Sequence, residues 1–187
     1  MMKKTKYVMS DGLAFDEEKD MAKLERLARK GWIFDRFAFM GYTLRKAESQ
    51  EVQYSLDYRK NADSDYFAYF EEAGWTRVGS SADYIHLFSA PPGIAPIYSD
   101  RETTIEKYET EKKAMGKGAF IMILVSLLFI AAHYLVNKIT LFNGIQATVD
   151  LVLTILYCIS LIGLVFTGMP YLGYLYRVNK LRRIGRR

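Results

Sequence analysis

The 187-residue chain has a single cysteine, Cys158, so no disulfide, CxxC redox pair or cysteine zinc site can form within it. Histidine is nearly as scarce, with two, and proline numbers four. After residue 112 acids all but vanish. Asp150 stands alone there against ten Lys and Arg, about +9, whereas residues 1 to 111 hold 20 acids against 16 basic residues, about −4. The overall charge of +5 is therefore a membrane-topology signal, and nucleic acid is not an expected partner. HExxH, GxSxG, P-loop and GxGxxG motifs are all missing, so neither enzyme activity, a resident cofactor nor a metal site is expected. Lysines 3, 4 and 6 meet Asp11 and the acids of 16–20 where an export signal would need an apolar core, so no cleaved signal is expected.

What the sequence has in plenty is segregated apolar residues. Residues 119–136 form an uncharged run of 18, about 27 Å as a helix, and residues 151–176 form a longer second run. Lys107, Lys112, Lys113 and Lys117 precede the first; Arg177, Lys180, Arg182, Arg183, Arg186 and Arg187 follow the second. The connecting segment offers only Lys138. This bias predicts a two-span hairpin in the cell membrane with both termini cytoplasmic, anchored by Lys112, Lys113, Lys117, Arg177, Arg182 and Arg183. Pro170 is expected to kink or end the second span, with Tyr171, Tyr174 and Tyr176 at headgroup level. Ser160, Gly163 and Thr167 share helical spacing suited to a helix-contact seam.

The first half reads as a module performed twice. Leu24 to Asp35 and Phe67 to Gly79 each carry an amphipathic helix that ends in Gly-Trp, and the pairs Gly31-Trp32 and Gly74-Trp75 lie 43 residues apart. Met21, Leu24, Leu27 and Ala28 share one helix face; Tyr66, Phe70 and Ala73 share the other's. Strand patterns at 4–9, 32–40, 42–47, 52–58, 75–78 and 84–89 surround them. The clearest has Val52, Tyr54, Leu56 and Tyr58 alternating with Gln53, Ser55 and Asp57. The expected fold is α+β: a duplicated strand-helix-strand-strand module forming an antiparallel sheet, with both helices on one face, followed by a transmembrane hairpin. The expected divisions are a cytosolic domain (1–98), a juxtamembrane helix (99–117), a first span (118–137), a short extracellular loop (138–149), a second span (150–176) and a basic tail (177–187). Ser99 and Glu102 have capping-box spacing, Glu109 and Lys113 are placed for an ion pair, and Gly116 and Gly118 are expected to loosen the join to the membrane.

Aromatic residues crowd the strands. Trp32, Phe39, Tyr54, Tyr58 and Trp75, with Glu72 and His86 as polar contacts, would line a pocket for a small amphipathic ligand; the structural alternative is that the rings fill the core of a small sheet. His133, near the outer end of the first span, invites a proton-sensing role, against simple tolerance near an interface. Asp150 is explained by capping the second span, and Cys158 by packing.

The residues Gly31-Trp32 with Phe39, 53–58 (QYSLDY), 66–75 (YFAYFEEAGW), 86–88 (HLF) and 96–100 (PIYSD) resemble the bacterial domain of unknown function family 2812, over about residues 1 to 110. The resemblance implies a membrane-anchored protein of Gram-positive bacteria, often encoded beside PadR-type regulators, and brings no catalytic residues. The functional expectation is a regulatory sensor or interaction domain, tethered to the bilayer and facing the cytosol, that binds an amphipathic ligand or a protein such as a transcription regulator. The alternative is an immunity or envelope-stress protein in which the hairpin itself is the working part.

Overall fold

The computed structural model describes residues 4–138 and 144–184. The chain divides into two compact units, Met1–Thr104 and Ile105–Arg187.

In the first unit the elements run β1 (Thr5–Met9), α1 (Leu13–Ala28), β2 (Trp32–Ala38), β3 (Gly41–Lys46), β4 (Gln53–Tyr58), α2 (Ser64–Glu72), β5 (Thr76–Ser81) and β6 (Ile85–Ala90). The two halves share element order and strand order, β1-β3-β2 and β4-β6-β5, every pairing antiparallel. Local detail repeats as well. Each helix stops where a glycine enters the left-handed region, Gly31 at φ 74° and Gly74 at φ 86°, a conformation that costs glycine nothing. Each second strand carries a bulge, between Phe34 and Arg36 and between Arg77 and Gly79.

The strands form two three-stranded sheets, where one joined sheet was expected. The bulges account for part of this. β2 and β5, both of them edges, are interrupted near the place where the Phe34 ring packs over Gly79, and a bulge bends and twists its strand out of ladder register. The helices also part company. Met21, Leu24 and Ala28 of α1 are buried in one cluster with Tyr42 and Leu44 of the first sheet and Tyr54, Leu56 and Leu87 of the second. Phe70, from α2, packs instead with Trp75, Phe88 and Ala90. Because neighbouring residues point to opposite faces of a strand, Leu87 and Phe88 place α1 and α2 on opposite faces of the second sheet. Ala73 lies outside the core as the exposed C-cap of α2.

α3 (Arg101–Lys138) and α4 (Gln146–Ile184) are each continuous, about 57 Å long at 1.5 Å per residue. α3 thus takes in both the expected juxtamembrane helix and the first span. Its N-cap is Asp100, not Ser99: the Asp100 carboxylate accepts from the Thr103 amide at 2.8 Å and from the Thr103 hydroxyl at 2.8 Å, which holds its carboxyl below the usual range. α4 runs through Pro170 and takes the expected tail into the helix as far as Ile184; residues 139–143 of the expected loop, with Arg186 and Arg187, lie outside the described residues.

Gly116 and Gly118 do not interrupt α3. A Cβ there would meet the Tyr171 ring at 3.1 Å and Thr167 Cγ2 at 3.0 Å, so these glycines let the two helices approach. The seam continues through Met122 against Gly163 to a buried hydrogen bond of 2.8 Å between the Ser126 and Ser160 hydroxyls. Ser160, Gly163 and Thr167 form the contact their spacing predicted. Away from the seam, side chains such as Phe120, Leu128, Leu151 and Phe166 face outward. Both helices are long and apolar enough to cross a membrane.

Candidate functional site

The aromatic residues proposed from sequence as a pocket do not converge. Tyr54 and Trp75 are buried in different clusters, and the Trp75 indole N–H donates to the Ala95 carbonyl at 3.0 Å. Trp32 is half-buried beneath the ammonium groups of Lys46 and Lys6, 5.2 and 5.9 Å from its ring. Tyr58 donates to Glu17 at 3.1 Å, Glu72 is exposed on α2, and Phe39 is 80% exposed at the β2–β3 turn.

His86 is closed on all sides. Its Nε2 lies 2.8 Å from the Arg59 carbonyl, which can only accept, so Nε2 carries the proton and Nδ1 accepts from the Ser80 hydroxyl at 2.8 Å. With both nitrogens occupied, full burial, and the Tyr66 and Phe67 rings alongside, it has no valence left for a ligand. No group of three or more metal-ligating side chains occurs among the described residues.

Sequence reasoning missed two carboxylate–phenol networks. Asp20, fully buried, accepts from the Ser10 hydroxyl, from the Asp11 amide at 2.9 Å and from Tyr42 at 2.9 Å. Asp57 accepts from Tyr66 at 2.6 Å and from Tyr98. Burial, then the adjacent carboxylate, pushes Tyr42, Tyr66 and Tyr98 well above the ordinary phenol range. Asp57 belongs to the face of β4 that reads as polar; Tyr98, about 40 residues downstream, covers it. Both networks satisfy buried polar groups, and the Asp57 network fastens the segment after β6 to the second sheet.

A polar cavity of about 300 Å³ lies between the end of α1 and the start of β4, lined by Glu25, Arg29, Glu51, Val52, Gln53, Pro92 and Gly93. Glu25 is already engaged there, accepting the Tyr54 amide at 3.1 Å.

The feature without a structural explanation is on the opposite side of the first sheet. Thr5, Tyr7 and Met9 lie on the exposed face of β1, while Val8 faces the core. The Ser10 amide bonds to Met40 and the Lys46 amide to Lys4, so the even-numbered residues of β1 exchange bonds with β3. The amides of Thr5 and Tyr7 consequently point away from the sheet along an edge. Beside this edge the two-residue turn Phe39-Met40 closes the β2–β3 hairpin, with Met40 at φ 52°. Such turns favour Asn-Gly, because left-handed backbone is costly for a bulky side chain. Here two large apolar residues occupy it, 80% and 52% exposed. Tyr7 lies against them, donating to the Phe39 carbonyl at 3.0 Å. Tyr7 and Met9, 53% and 58% exposed, extend the apolar strip along the edge.

Residues 16–120 match the family described as proteins of unknown function, DUF2812. The chain belongs to this family. The match runs from Asp16, where the backbone of α1 departs from helical geometry, through the second sheet and into α3, so β1 and α4 lie outside the part that defines DUF2812. No curated protein and no solved structure matches the chain.

The proposed membrane anchors have mixed surroundings. Lys113, Lys117 and Arg183 are exposed. Lys112 pairs with Glu109 at 3.6 Å, and Arg182 also pairs with Glu109, where Lys113 had been expected as the partner. Arg177 is buried, donating to the Tyr108 hydroxyl at 2.7 Å with its guanidinium 4.1 Å from that ring. Tyr108 in turn stacks on Tyr174, centroids 6.1 Å apart. Arg177 therefore ties α3 to α4 as well as adding positive charge.

Proposed function

We propose that this DUF2812 protein is a membrane-anchored regulatory component whose first unit faces the cytosol and docks a protein partner, of which a transcription regulator held at the membrane is one form. The observation that carries this reading is the β1 edge, unpaired among the described residues, beside the exposed Phe39-Met40 turn. Edge amides can add a strand from a partner, and an apolar pair at the rim supplies the anchor that main-chain bonding lacks. Docking is preferred to small-ligand capture because the rings expected to line a pocket do not converge: Tyr54 and Trp75 are buried in separate clusters and Phe39 is exposed. The hairpin spans the bilayer in this reading, with both termini inside, in keeping with the lysine and arginine bias.

Full-length protein, gently solubilised and used as bait, tests the docking. A partner recovered with the parent chain is expected to be lost with Thr5→Pro, which removes an outward amide without touching the β3 ladder, and with Phe39→Ser. Equal recovery by all three baits would sink the reading. A C-terminal tag accessible from outside intact cells would overturn the orientation.

A second reading, in which the hairpin is the working part, is favoured by the polar contacts between its helices. Replacing it with an unrelated two-span anchor separates the two: retained function assigns the spans to anchoring, and lost function with normal expression assigns them the activity.

A further inference from the structure

His133 and Asp150, each unremarkable alone, meet at the loop end of the helical hairpin. His133 Nδ1 lies 3.6 Å from Asp150 Oδ1, beyond hydrogen-bond reach, and that oxygen is buried with no hydrogen-bond partner among the described residues. The nearby Thr154 hydroxyl does not serve it, donating instead to the Asp150 backbone carbonyl at 2.8 Å. Directly beside the pair is a groove of about 280 Å³ lined by Phe129, Ile130, His133, Leu153, Thr154 and Tyr157.

We propose that this groove binds a lipophilic organic cation, with its ammonium or equivalent head at Asp150 and its apolar body against Phe129, Leu153 and Tyr157. The inference rests on the membrane-spanning reading of the hairpin. Asp150 lies in the second turn of α4, at the margin of hydrocarbon in this reading, and its buried Oδ1, with no hydrogen-bond partner among the described residues, calls for a cationic partner. His133, at 3.6 Å, does not reach it with a hydrogen bond. A divalent metal would need several oxygen ligands, whereas the groove lining holds no carboxylate and Asp150, behind His133, supplies a single one. A cation with an apolar body meets both requirements, and two aromatic rings add attraction for its head. The bilayer also orients such a molecule, head at the interface and body inward. That matches a carboxylate near the end of the span with apolar walls running from it.

Protonated His133 is the competing cation. The other charged group at this end, Lys138 on α3, lies with its ammonium 5.8 Å from the Tyr134 ring; Tyr157 is the remaining titratable group facing the groove from α4. Protonation of His133 consequently lowers occupancy.

The test uses the full chain in phosphatidylcholine nanodiscs, with radiolabelled dodecyltrimethylammonium as probe in equilibrium dialysis. Saturable uptake above empty discs is expected at about pH 8. It should weaken about ten-fold or more with Asp150→Asn and with Leu153→Trp, which fills the groove. Acidification to about pH 5.5 should reduce uptake by the parent chain but not by His133→Gln. Phosphatidylglycerol discs distinguish a free cation, bound in both lipids, from choline headgroups already in the site, for which probe binding appears only in the choline-free disc. Circular dichroism confirms that each variant remains helical. Uptake by the parent no greater than by Asp150→Asn in both lipids overturns the proposal. Failure of the chain to resist alkaline extraction from membranes instead overturns the reading on which it rests.

Discussion

Gly79 offers the sharpest test of how the two sheets meet. Its φ is not left-handed, so any cost of a side chain there is steric. A Cβ would fall 2.6 Å from Phe34 Cε1 and 3.1 Å from Cζ. The Phe34 ring is 7% exposed and wedged edge-on to Phe37 and Tyr42, centroids 5.1 and 6.2 Å away, so it has little room to retreat. Forcing a methyl into such a site costs roughly 1–3 kcal/mol. Taking about 2 kcal/mol and a urea dependence of about 1.5 kcal/mol per molar, Gly79→Ala lowers the unfolding midpoint by roughly 1.3 M. Trp32 and Trp75 both belong to the first unit, so tryptophan fluorescence of the full chain reports that unit's unfolding. The control is Phe34→Leu, which destabilises by itself but leaves space for the new methyl. In that background Gly79→Ala should cost at least about 1 kcal/mol less, a coupling expected only of residues in contact. An unchanged cost in both backgrounds, or a cost below about 0.5 kcal/mol in the parent, would refute the packing of β2 against β5.

Alkali should unfold the first unit steeply. Tyr42, Tyr66 and Tyr98 keep their protons in the folded chain to a higher pH than in the unfolded one, so stability is flat below about pH 10 and falls above it, by at most roughly 1.4 kcal/mol per pH unit for each tyrosine. Urea midpoints collected from about pH 8 to 11 check this, and a flat profile contradicts it. Acid acts at the other end. The depressed Asp100 carboxyl stabilises the first turn of α3 above its ordinary value of 3.8 and loses that effect as pH drops through its lower folded value. Asp100→Ala should therefore speed hydrogen exchange at the Thr103 amide several-fold near neutrality while leaving mid-helix amides unchanged. In the hairpin, Ser126→Cys combined with Ser160→Cys, in a Cys158→Ala background, should form an intramolecular disulfide under mild oxidation; preferential cross-linking one helical turn away would show a different register.

The parts legible in the sequence were those governed by near neighbours. Gly31 and Gly74 announced helix ends because the left-handed stop is a local steric matter. Tyr54 and Leu56 announced a buried strand face by alternation alone. Asp57 gave no such notice, since its burial depends on Tyr66 and Tyr98, brought from separate elements. Gly116 and Gly118 were misjudged for a related reason: glycine favours loosening in an isolated helix, whereas Tyr171 and Thr167 on the adjacent helix make it a point of close approach. His133 and Asp150 each had a sufficient explanation singly, and only the antiparallel register of α3 and α4 makes them a pair. The Phe39-Met40 turn was hidden differently. A two-residue hairpin normally advertises itself with Asn-Gly, and two apolar residues there read as part of a strand.

The register of the hairpin also decides what kind of motion it can pass on. Sliding α3 along α4 by one turn, about 5.4 Å, would part Ser126 from Ser160 and drive side chains into the notches at Gly118 and Gly163. Piston strokes are thereby disfavoured, and at the far end Tyr108 and Arg177 lock the same two helices together. What remains cheap is tilting of the pair as a single lever. For rods about 57 Å long, a tilt of about 10° swings one end by roughly 10 Å relative to the other. A small event at the loop end thus becomes a sideways displacement at the opposite end, with no change in the length of either helix.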